Sequence, residues 1–82
     1  MEQIQIDFNF NGVNTIIQCK KDTKLKDIYK VFRFKAKLEN KALIFMYNGN
    51  TIQNDELSFN EIANSEDLFQ NRYYLIKFFI KT

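Results

Sequence analysis

Gln3 to Phe10 alternates between polar and apolar side chains, with Ile4, Ile6, Phe8 and Phe10 on one face and Gln3, Gln5, Asp7 and Asn9 on the other. A period of two belongs to a half-buried β-strand. Asn11-Gly12 then supplies the positive φ that a tight hairpin needs. A second strand follows from Val13 to about Lys20, with Thr15, Ile17 and Cys19 facing one way and Asn14, Ile16 and Gln18 the other.

The period then changes. Leu25, Ile28, Phe32 and Ala36 recur at spacings of three and four, which predicts an amphipathic helix over about 24–36. Asp22-Thr23 is placed to cap it, and Tyr29 falls at the edge of its apolar stripe. Val31 and Phe34 lie off the stripe, so the last turn is expected to bend or to dock under the following loop. Ala42 to Tyr47 reads as a third strand, Asn48-Gly49 as a turn, and Thr51-Ile52 as a short fourth strand. Residues 53–72 are polar and irregular; Leu57, Phe59, Ile62, Leu68 and Phe69 are scattered anchors that short helical turns would satisfy. Tyr73 to Lys81 is the last strand. Its even positions, Tyr74, Ile76, Phe78 and Ile80, form an unbroken apolar face, and its odd positions a mixed one. This order predicts an α+β fold, a mixed four- to five-stranded sheet with one α-helix packed across one face. The other sheet face is left to water or to a partner.

Composition narrows the picture. A chain of 82 residues is expected to form one domain, residues 1–82, and its nine Phe and four Tyr offset the small size of the core. A net charge of +2 gives no ground for a nucleic-acid partner. No run approaches the length of a membrane span, and the first ten residues lack the basic head of a signal peptide. With a single cysteine, Cys19, no intramolecular disulfide can form, which suits a cytoplasmic or nuclear setting.

Candidate chemistry is sparse. There is no histidine to act as general base or metal ligand. Cys19 falls on the apolar side of a strand, where a thiol is inert. Asp55, Glu56, Glu61, Glu66 and Asp67 show neither the spacing of a catalytic pair nor that of a calcium loop. Gly12 and Gly49 are turn glycines, not a phosphate-binding loop. Neither an enzyme nor a cofactor is expected.

The order of elements, with Leu43-Ile44-Phe45 in the third strand, resembles ubiquitin and its β-grasp relatives. Leu25, Ile28 and Phe32 match the buried positions of the ubiquitin helix. Asn48-Gly49 turns where ubiquitin turns, and Leu57-Ser58-Phe59-Asn60-Glu61-Ile62 is similar to the segment that pins a loop to the core there. The resemblance covers the whole chain and rests on the conjunction of motifs. Two departures stand out. Ubiquitin-type modifiers close with a flexible Gly-Gly tail, whereas this chain ends at Ile80-Lys81-Thr82. The stretch around Asn64–Arg72 is also longer.

The resemblance implies a hydrophobic docking patch on the outer face of the third and last strands. With Leu43 and Phe45 inward, Ile44 and Met46 point outward beside Ala42, joined by Tyr73, Leu75, Lys77 and Phe79 and ringed by Lys41, Lys77 and Lys81. A register slip of one residue would exchange the faces. Lys26, Lys30, Arg33 and Lys37 form a basic stripe on the helix, either a solvated face or a secondary surface for an acidic partner. A peptide strand could also add beside the second strand near Ile16 and Gln18, in the SUMO-like mode. The resulting expectation is a monomeric, non-conjugating interaction module with a protein partner, such as a ubiquitin-binding-type domain. The alternatives are a modifier released from a precursor, its tail absent from this chain, and, ranked lower, a small-GTPase-binding domain.

Overall fold

The computed structural model of the protein describes residues 3–69 and 76–82. Expectations for Tyr73, Tyr74 and Leu75, and for the side chains of Leu68 and Phe69, lie outside the described residues. Among the described residues, five strands and three helices follow the predicted order: β1 Gln3–Phe10, β2 Val13–Lys20, α1 Leu25–Ala36, β3 Ile44–Tyr47, β4 Asn50–Thr51, α2 Phe59–Ile62, α3 Ser65–Phe69 and β5 Ile76–Lys81. The strands form one mixed sheet in the order β2-β1-β5-β3-β4. β5 lies at the centre, parallel to β1 and antiparallel to β3.

Both Asn-Gly pairs make the expected turns, with φ of 53° and 81° at Asn11-Gly12 and 54° and 81° at Asn48-Gly49. Positive φ at both central residues matches the right-handed twist of the flanking strands. The third strand starts at Ile44 rather than Ala42. The fourth is displaced to Asn50–Thr51, although the Ile52 amide still bonds the Phe45 carbonyl at 2.8 Å.

α1 packs across one face through Leu25, Ile28, Tyr29 and Phe32. Tyr29, expected at the edge of the stripe, is core: its ring stacks on Phe45 with centroids 3.8 Å apart and 4° between planes. Phe8 lies at the centre of the aromatic cluster, 4.8 Å from Phe32 and 5.3 Å from Phe78. Such ring pairs add about 0.5–1.5 kcal/mol each beyond the burial of their area.

Two expectations about α1 fail. Its N-cap residue is Lys24, and neither Asp22 nor Thr23 caps it. Instead, the carbonyls of Leu57 and Asp55 accept from the Leu25 and Lys26 amides, both at 2.8 Å, so the 53–58 loop satisfies the free end of the helix. Val31 and Phe34 do not dock under a loop; both are exposed, Phe34 by 76%. The loop after the helix is held by Arg33, whose Nη1 donates to the carbonyls of Leu38 and Lys41.

Within 53–69 the expected helical turns are α2 and α3. Ser58 and Glu61 form a reciprocal capping box at the start of α2, which sends the fully buried Phe59 into the core. Tyr47 anchors the segment beyond it. Its hydroxyl donates to the buried carboxylate of Asp67 and accepts from the Asn64 amide at 3.2 Å.

Candidate functional site

Pleat parity decides which side chains the sheet presents. On β5, Ile76, Phe78 and Ile80 are buried under α1, while Lys77, Phe79 and Lys81 face outward, Phe79 being 55% exposed. On β3, Phe45 and Tyr47 are buried, Ile44 is 38% exposed and Met46 is half-buried. The β3–β5 register sets Met46 opposite Phe79 and Ile44 opposite Lys81. Met46 also faces Thr51 across β4, and Phe79 faces Asn9 across β1. The outer face therefore carries an apolar centre of Met46 and Phe79, extended by Ile44 and edged by Lys77 and Lys81. Ala42 precedes β3 and stands outside this register. Tyr73 and Leu75, the other candidates for this face, lie outside the described residues.

One outer-face residue defies the alternation pattern. Asp7 belongs to the polar face of β1, yet it is only 7% exposed, flanked in register by Ile16 on β2 and Lys77 on β5, and its Oδ1 has no hydrogen-bond partner among the described residues. Its cover comes from the strands on either side, β2 and β5, which alternation within β1 does not reveal.

The helix stripe is divided by its partners. Lys26 Nζ lies 2.8 Å from Glu56, which Lys24 also reaches at 3.3 Å. The hydrogen bond between them raises the Lys26 ammonium and lowers the Glu56 carboxyl. Arg33 braces the following loop and lies 5.8 Å from the centre of the Phe45 ring. Lys37 is the left-handed C-cap of α1, at φ 60°. Lys30 remains an exposed point charge on the stripe. At the β2 edge, Lys35 Nζ donates to the Ile16 carbonyl at 2.9 Å, so a peptide strand added near Ile16 and Gln18 would compete with that lysine. Cys19 is half-buried, and burial pushes its thiol from 9.0 up to about 11, so it remains protonated and a poor nucleophile at neutral pH.

No family model matches the sequence, and no curated protein matches it. Solved structures do. The solution NMR structure of a ubiquitin-like domain from an Arabidopsis thaliana protein superimposes with a TM-score of 0.78 at 10% identity, over 99% of this chain and 78% of that one. A second structure of the same plant protein, combining evolutionary couplings with sparse NMR data, gives 0.71 at 12% identity, over 99% of this chain and 87% of that one. The fold is ubiquitin-like: a mixed five-stranded β-grasp sheet holding one long helix. At such identities the likeness shows the fold alone.

Proposed function

We propose that the protein is a non-enzymatic ubiquitin-like domain that recognises a protein partner through the outer face of its sheet. The observation that carries this reading is the side-by-side placement of Met46 and Phe79 on adjacent strands, with the Phe79 ring more than half exposed and Ile44 next along β3. An exposed aromatic beside a flexible thioether, rimmed by lysines, suits the centre of a modest interface. Aromatic anchors in such centres commonly carry 2 kcal/mol or more of the binding energy, roughly a thirtyfold change in affinity.

The test is a titration of the protein with a panel of ubiquitin-binding helical peptides, followed by amide NMR. At least one peptide should shift the β3 and β5 resonances. Ile44→Ala and Phe79→Ala should each weaken that binding by about tenfold or more while the fold is kept, since neither side chain belongs to the core. A parent protein that binds no peptide, or variants that bind as the parent does, would refute the assignment.

A further inference from the structure

β2 ends the sheet on one side, paired only with β1, and its eight residues far exceed the two of β4 at the other end. A long free edge offers unpaired backbone groups to a second strand, and folded chains ordinarily blunt it with proline, a bulge or charge. β2 contains no proline and pairs with β1 residue for residue from Val13 to Lys20, without a bulge. From Val13 to Cys19 it also carries no charged side chain, and Val13 and Ile16 are 66% and 42% exposed.

The hairpin fixes which backbone groups this edge presents. A two-residue turn at Asn11-Gly12 closes on the bonded pair Phe10–Val13, so Thr15 and Ile17 also bond to β1. The N–H and C=O groups of Asn14, Ile16 and Gln18 therefore point away from the sheet. The Ile16 carbonyl agrees with this, because it accepts from Lys35 Nζ of α1 at 2.9 Å. That acceptor is neutral, so a full positive charge stands at the middle of the edge.

The strand is self-complementary. Two copies of β2 laid antiparallel about Ile16 set Ile16 against itself, Asn14 against Gln18 and Thr15 against Ile17. Lys20 then falls opposite Gly12, so no like charges within the strands oppose each other. The obstacle is Lys35. In this register both Ile16 carbonyls lie at the two-fold axis, and the ammonium groups held on them would be forced together.

We propose that Lys35 is a charged latch on a homodimerisation edge: it keeps the chain monomeric, and loss of its charge lets two copies join β2 to β2 in one continuous sheet. Val31, one turn before Lys35 on the same side of α1 and 53% exposed, adds apolar contact between the two helices across the axis. This edge lies beyond β1 from Met46 and Phe79, and its test uses neither residue.

Sedimentation equilibrium of the parent and of Lys35→Gln, Lys35→Met and Lys35→Arg, joined to amide hydrogen exchange followed by NMR, examines the latch. Lys35 is exposed, so each variant keeps the fold. Lys35→Gln and Lys35→Met should self-associate about a hundredfold more tightly than the parent, since both ammonium groups leave the axis. Lys35→Arg retains the cation and should stay monomeric with the parent. In the dimer the Asn14, Ile16 and Gln18 amides, open to water in the monomer, should gain protection from exchange. The proposal is overturned if Lys35→Gln and Lys35→Met remain as monomeric as the parent, or if they dimerise with those three amides unprotected. Dimerisation of Lys35→Arg as tight as that of Lys35→Gln, or a parent already paired through β2, would overturn it as well.

Discussion

Tyr47 shows how much of the fold can depend on one hydroxyl. It projects inward from β3 and satisfies two groups of the segment beyond α2, the Asp67 carboxylate and the Asn64 amide. Tyr47→Phe keeps the ring contacts with Phe59 and Phe78 but strands the buried Asp67, so it should cost about 1–3 kcal/mol, read as a lower denaturation midpoint. An unchanged midpoint would mean that the carboxylate finds another partner. Asp7 presents the opposite case, a buried carboxylate oxygen with no partner to lose among the described residues. Asp7→Val places a β-branched side chain in the central region of the sheet and removes that unsatisfied atom. It should stabilise by about 1 kcal/mol, and a lower midpoint would show that the carboxylate contributes favourably where it stands.

Among the elements, the start of α1 is the informative one. The sequence offered Asp22-Thr23 as a cap, because local chemistry favours such residues there. The fold uses the Leu57 and Asp55 carbonyls instead, about thirty residues away in sequence, which no local pattern announces. Asp22→Ala and Thr23→Ala should therefore each change stability by less than about 0.5 kcal/mol, whereas Ser58→Ala, which breaks the capping box of α2, should cost about 1 kcal/mol. Thermal denaturation of the three variants checks the contrast; equal effects would refute it. The first hairpin was legible for the converse reason: alternation and Asn11-Gly12 are both local, and the strands pair in that register. Strand ends were less legible, since whether Ala42 and Leu43 join β3 depends on where β5 ends.

For the whole molecule, sheet order is what joins distant residues into surfaces. Alternation put Phe79 on the outward face of β5, but the outward side of Met46 and its pairing with the last strand came through the family resemblance, and the insertion of β5 between β1 and β3 is seen only in the folded sheet. The core position of Tyr29 was illegible because its stacking partner Phe45 comes from a distant strand, and Tyr29 resembled any other edge residue of an amphipathic stripe. The same burial gives the molecule an alkaline weakness. Cys19 titrates near 9.0 when free of the fold and at about 11 within it. Below pH 9 the thiol is protonated in both states, so the folded chain has its full stability. Between pH 9 and 11 the unfolded chain releases the proton while the folded chain holds it, and stability falls. Tyr29, whose phenol is raised in the same sense, extends the loss to higher pH. Urea denaturation midpoints should therefore fall across pH 9 to 11, and Cys19→Ala, whatever its packing cost, should flatten that fall. A variant with the parent's slope would place the alkaline sensitivity elsewhere in the protein.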